Sequence, residues 1–144
     1  MADGHEIKGQ CLCGAVTYSA QVESLHVDAC HCSMCRRWTG GPLHCLESKD
    51  GKLSITGEDH VTFYGSSEWG ERGFCNICGS TLFWRTKDRA YAAIAAGSLI
   101  DEAGLVFTKQ IFVDEKPAYY SFANATEMLT GPEFLALMKG DKPQ

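Results

Sequence analysis

Seven of the eight cysteines in this 144-residue chain fall into short local spacings that suit metal ligation. Cys11-Leu12-Cys13-Gly14 and Cys75-Asn76-Ile77-Cys78-Gly79 read as the two halves of one site. On an extended segment residues i and i+2 point the same way, so Cys11 and Cys13 are expected to face one ion while Leu12 faces the core. Cys-x-x-Cys-Gly is the pattern of a zinc knuckle, whose sulfurs converge and whose glycine can take φ > 0 so that backbone N–H groups approach sulfur. Two such pairs from distant segments predict a closed, tetrahedral and therefore structural Cys₄ site.

A second cluster packs three thiols into Cys30-His31-Cys32-Ser33-Met34-Cys35. Three protein ligands on a four-coordinate ion leave one position for water or substrate, as in catalytic sites. The competing reading is a second closed site, with a fourth ligand from Cys45, His26, His44 or His60. Three thiolates on Zn²⁺ carry a net negative charge, which suits binding a further thiol and lowering its pKa better than making hydroxide. His31, between two ligands facing one way, should face the other, as a satisfied, partly buried histidine rather than a ligand. Cys45 reads as a small buried apolar residue. Arg36 and Arg37 could offset the cluster's charge or bind substrate carboxylates, although at least one reads as an ordinary surface charge.

Other uses of the cysteines fit less well. The N-terminal residues, Met1 to Glu6, lack the basic and apolar regions of a signal peptide, so a reducing cytosol is expected and a disulfide scaffold is disfavoured. A thioredoxin-like role for Cys75 and Cys78 would need a βαβ context that the sequence lacks. No run approaches 18 apolar residues, so no membrane-spanning helix is expected. Seven thiolates and two zinc ions would take the formal charge from −5 to about −8, a poor basis for gripping nucleic acid.

The elements that must position these residues read as mostly β, in one domain over 1–144. Residues 14–20 alternate, with Val16 and Tyr18 on one face and Thr17 and Ser19 on the other. Asp50-Gly51 between 45–49 and 52–56 is a hairpin signal. Strands are expected at 61–64, 81–85 and 105–113, and at 91–96, where the alanines suit a helix equally well. A helical turn is possible through Arg36 to Trp38, ending at Gly40-Gly41. Thr130-Gly131-Pro132-Glu133 reads as a capping box opening a short C-terminal helix, with Phe134, Leu135 and Met138 on its apolar face, Lys139 suiting the C-terminal dipole and Gly140 able to end it.

The chain resembles the glutathione-dependent formaldehyde-activating enzyme family, also called the centromere-protein-V family, over about residues 8–122. The resemblance lies in Gly9-Gln10-Cys11-Leu12-Cys13-Gly14-Ala15-Val16, in Cys30-His31-Cys32-Ser33-Met34-Cys35-Arg36-Arg37, and in Arg72-Gly73-Phe74-Cys75-Asn76-Ile77-Cys78-Gly79-Ser80-Thr81-Leu82-Phe83-Trp84. Weaker matches lie at Ala96-Gly97-Ser98-Leu99 and from Ile111 to Tyr120. It implies a β-tent-like fold of mainly antiparallel sheets pinned by two zinc ions. The structural zinc would be held by Cys11, Cys13, Cys75 and Cys78, and the catalytic zinc by Cys30, Cys32 and Cys35. It also implies a carbon–sulfur lyase-like activity of the S-(hydroxymethyl)glutathione synthase kind, with glutathione or a similar small thiol and formaldehyde or another small electrophile as substrates. The alternative is a zinc-stabilised binding module without turnover. The sequence does not speak to oligomeric state.

Overall fold

The computed structural model describes residues 4–140, so the N-terminal reading lies outside the described residues at Met1, Ala2 and Asp3. In chain order the strands and helices are β1 (His5–Gln10), β2 (Thr17–Val22), β3 (His26–Cys30), α1 (Ser33–Thr39), β4 (Leu43–Lys49), β5 (Leu53–Thr56), β6 (Val61–Gly65), β7 (Gly70–Cys75), β8 (Thr81–Thr86), β9 (Tyr91–Ala95), β10 (Val106–Ile111), β11 (Glu127–Leu129) and α2 (Gly131–Gly140). The protein is mainly β, as the sequence predicts, and no helix of the described residues is long and apolar enough to cross a membrane. Two compact units divide the chain, one from residues 4–25 and 45–105, the other from 26–44 and 106–140.

In the first unit β2 pairs antiparallel with β1 and β5. A second antiparallel run joins β4 to β9, β9 to β8, β8 to β7 and β7 to β6. The alternation predicted for β2 is seen: Val16, Tyr18, Ala20 and Val22 are buried, while Thr17 and Ser19 are half-buried. Tyr18 meets Phe83 edge-on, with ring centroids 5.0 Å apart, in a core that includes Leu46, Leu82 and Ile94. The ambiguous segment at 91–96 is strand to Ala95, then a short 3₁₀ turn from Ala96 to Ser98. Cross-strand pairing with β4 and β8 outweighs the helix propensity of its alanines.

The hairpin expected at Asp50-Gly51 needs correcting. A turn is there, closed by Lys52 N–H to Lys49 O at 3.3 Å, with Asp50 and Gly51 both at positive φ. Yet β5 pairs with β2 and β4 with β9, so the turn hands the chain from one sheet to another. An Asp-Gly pair encodes the reversal but not the partner of each arm.

In the second unit β10 pairs in parallel with both β3 and β11. Parallel pairing needs a long connection, which residues 31–105 supply between β3 and β10. β10 is shorter than the predicted strand, because Phe112 takes a left-handed conformation, φ 57°, and a 3₁₀ turn follows. The capping box forms as read: Thr130 N–H donates to Glu133 Oε1 at 2.8 Å and Glu133 N–H to Thr130 Oγ1 at 3.2 Å. Gly140 is the last residue of α2, Phe134 packs on Phe112, and the side chain of Lys139 lies outside the described residues. Replacing Thr130 with Ala is expected to lower stability by about 1 kcal/mol in urea unfolding. An unchanged midpoint would show that this helix end does not depend on its cap.

Candidate metal centres

The first cysteine set lies wholly in the first unit. Cys11 follows β1, and Cys75 ends β7. Each opens a tight turn: Gly14 N–H returns to Cys11 O at 3.2 Å, and Gly79 N–H to Cys75 O at 2.8 Å. Both turns end on a glycine in the left-handed region, Gly14 at φ 83° and Gly79 at φ 81°, where a side chain would be strained. The reward is directed N–H groups. Val16 N–H points at Cys11 Sγ from 3.3 Å, and Ile77 and Cys78 N–H at Cys75 Sγ, each from 3.4 Å.

The four sulfurs lie within 4.8 Å of one another. Cys11 and Cys13 Sγ are 3.6 Å apart and Cys13 and Cys75 Sγ 3.8 Å. A tetrahedron of sulfurs at about 2.3 Å from a central zinc has an edge of about 3.8 Å, and a disulfide would need about 2.05 Å. The donor set therefore fits a tetrahedral thiophilic ion. Protonation is uneven across the set. The Ser80 hydroxyl is the largest influence on Cys78, which is held down at about 5. A backbone hydrogen bond at Ala15 favours the Cys13 thiolate. Desolvation and the thiols of Cys11, Cys75 and Cys78 outweigh it, so Cys13 is pushed up to about 11. Sulfurs so close cannot all ionise unless a cation lies among them.

One expectation fails here. Leu12 does not face the core but is 86% exposed, and Ile77 in the matching turn is 59% exposed. The alternation rule presumed an extended strand, whereas residues 12–13 form a turn that carries Leu12 outward. Ser80, which the sequence did not single out, bridges the turns: its hydroxyl accepts from Leu12 N–H at 2.9 Å and touches Cys78 Sγ at 3.2 Å.

The second set lies wholly in the second unit. Cys30 ends β3, Cys32 is the N-cap of α1 and Cys35 lies in its first turn. The helix starts earlier than the turn the sequence suggested, because Cys32 Sγ caps it by accepting Cys35 N–H at 3.4 Å. It ends as read, with Gly40 at φ 87° returning its N–H to Arg36 O. The three sulfurs lie within 4.8 Å of one another, and among the described residues no fourth His, Cys, Asp or Glu completes the set. His26 is exposed, and His44 is half-buried against Phe107 and Phe122. Cys45 and His60 belong to the other unit. Cys45 is buried, as its sequence reading expects. Hydrogen bonds to Cys32 and Cys35, then burial, push the Cys30 thiol far up, and three sulfurs so close could all ionise only around a cation.

His31 is buried and satisfied on both ring nitrogens, which meet the Tyr120 hydroxyl and Gln110 Oε1. Burial is the main reason that its pKa lies below the ordinary histidine value. The two arginines part company: Arg37 is exposed, and half-buried Arg36 donates through Nε to His31 O at 2.9 Å. Gln110 and Tyr120 were not foreseen as part of this site, since they lie 79 and 89 positions from His31 and local spacing carries no trace of them.

Comparisons with known proteins bear on these centres. The family model for the glutathione-dependent formaldehyde-activating enzyme matches residues 6–115. A Schizosaccharomyces pombe protein named as an uncharacterized lyase is 34% identical over 131 residues, covering 90% of this chain and 95% of its own. A Halomonas elongata protein provisionally named as a glutathione-dependent formaldehyde-activating enzyme is 34% identical over 87 residues, 54% of either chain. A crystal structure of a Rhodobacter sphaeroides protein shares the fold at TM-score 0.57 and 21% identity, covering 71% of this chain and 100% of that one.

The first set ties the end of β1 to a turn more than sixty positions later, so metal binding there should add directly to fold stability. Cys78→Ser is expected to yield insoluble protein or to abolish cooperative thermal unfolding, since structural zinc binding is worth on the order of 10 kcal/mol. A soluble variant melting near the wild-type temperature would contradict this. Elemental analysis of protein purified under reducing conditions is expected to give two ions per chain, and one or none would show that a set does not hold metal.

Proposed function

This chain belongs to the glutathione-dependent formaldehyde-activating enzyme family, and on that footing we propose that it is a zinc-dependent, carbon–sulfur lyase-like enzyme. Its substrates would be adducts of glutathione, or a similar small thiol, with formaldehyde or another small electrophile. Membership itself supports a lyase-type enzyme of glutathione-linked formaldehyde handling. The observation that carries the finer reading is the second cysteine set, three sulfurs with no fourth protein ligand beside them among the described residues.

Cys30, Cys32 and Cys35 would hold the catalytic zinc, and Cys11, Cys13, Cys75 and Cys78 the structural one. Zinc bound by three thiolates supplies a soft Lewis-acidic centre suited to keeping a further sulfur in its thiolate form. The residues of the chain do the rest. Cys32 is held by the N–H of Cys35, which fixes its sulfur against rotation. Thr39 hydroxyl donates to Cys35 O at 2.9 Å and steadies the helix that carries the third ligand. Arg36 brings positive charge to a site whose sulfurs would otherwise repel a carboxylate-bearing thiol. Its Nε is committed to the His31 carbonyl, leaving the terminal guanidinium nitrogens for substrate. The eight thiols suit a reducing, cytoplasmic setting.

Two outcomes test this. Cys35→Ser is expected to remain folded, to keep one tightly held metal ion and to lose nearly all thiol-dependent turnover. Full activity in that variant, or a cobalt-substituted protein whose spectrum ignores every thiol offered, would leave a metal-stabilised binding module instead. Arg36→Gln is expected to lower kcat/KM for glutathione about tenfold more than for a neutral thiol, while exposed Arg37→Gln affects both little. Equal losses for both thiols in Arg36→Gln would confine that arginine to a structural role.

A further inference from the structure

His31 stands between two of the three sulfur ligands and is buried to 0% exposure. Its ring nitrogens lie 2.8 Å from Gln110 Oε1 and 2.8 Å from the Tyr120 hydroxyl. Gln110 gives an amide N–H to Thr126 Oγ1 at 2.9 Å, which leaves its Oε1 facing His31 as an acceptor. Nε2–H therefore donates to Gln110 Oε1, and Nδ1 meets the Tyr120 hydroxyl.

The backbone of His31 is held as firmly as its ring. Its N–H donates to Ile111 O at 3.1 Å, and its carbonyl accepts from Arg36 Nε at 2.9 Å. A single residue is thus fixed at four points, by β10, by α1 and by the segment bearing Tyr120. That tyrosine is itself anchored: its ring stacks on His31 at 5.5 Å and 29°, and the Lys116 ammonium donates to the carbonyls of Pro117 and Tyr120. The common effect of these contacts is to fix the one residue that separates Cys30 from Cys32.

We propose that His31 is the positioning residue of the second centre. Its ring and backbone, anchored at four points, set the spacing of the Cys30 and Cys32 sulfurs, and with it the metal affinity of that centre and the direction left open for a fourth ligand. Only the identity of that fourth ligand as a substrate thiol rests on the function proposed above. Groups that orient metal ligands from outside the coordination sphere commonly govern affinity by about 10- to 100-fold.

The test compares wild type with Gln110→Leu, Gln110→Glu and Tyr120→Phe. Competition with a chromophoric chelator reads zinc affinity at each centre, and the visible absorption of the cobalt-substituted protein reads coordination geometry. Gln110→Leu and Tyr120→Phe are expected to weaken the second zinc about 10- to 100-fold and to shift the cobalt bands of that centre, leaving the first ion unaltered. Gln110→Glu, which keeps an acceptor for Nε2–H, is expected to retain near-wild-type affinity. Should Gln110→Leu fail to fold, Tyr120→Phe decides alone, because it removes one half-buried oxygen. Unchanged affinity and cobalt bands in Tyr120→Phe, even with a lower melting temperature, would overturn the proposal and leave His31 a packing residue. Thiol turnover is measured separately. Weakened second-site affinity, in a protein whose wild type turns over no thiol, would uphold the positioning role and remove the enzyme reading.

Discussion

Crowded sulfur is the constraint around which this protein is arranged. Seven thiols stand in two groups, each so tight that its members cannot all lose their protons without a cation to hold them. The local backbone is bent to make that crowding possible. Glycines in left-handed conformations close the two turns of the first group, backbone N–H groups are aimed at Cys11 and Cys75, and Cys32 serves as the cap of its own helix. Without the demand for converging sulfurs, little would favour these conformations over ordinary strand continuation.

The two groups answer that demand differently. The first draws its members from the ends of β1 and β7 and so spans a large loop of chain, which would give a metal held there a stake in folding. The second is assembled from neighbouring residues, and an ion there closes almost no loop. Its neighbour His31 is braced instead by hydrogen bonds to Gln110 and Tyr120, residues distant in sequence. One set is drawn together from distant segments, and the other is local in sequence with its neighbour His31 braced from outside the set.

What the sequence reveals follows the same division. The cysteine spacings are legible because coordination imposes them locally, and the Thr130–Glu133 cap because its donors and acceptors lie within one turn. The Asp50-Gly51 turn is legible as a reversal, but the partners of its arms are chosen by sheets built from other parts of the chain. Leu12 misleads because alternation assumes a strand, and a strained turn turns it to solvent instead. The Gln110 and Tyr120 supports of His31 leave no trace in spacing at all, since only folding brings them near.

The confinement of the second centre to six consecutive residues, Cys30 to Cys35, has a consequence for descent. A lineage can vary this short cassette through changes in one stretch of chain, without touching the four sulfurs of the first set. On the function proposed above, inheritance of the fold and inheritance of the reaction would thereby be uncoupled. Among related chains the cysteines of the first set would then prove the slower clock, and the residues facing the cassette the place where new substrates are tried.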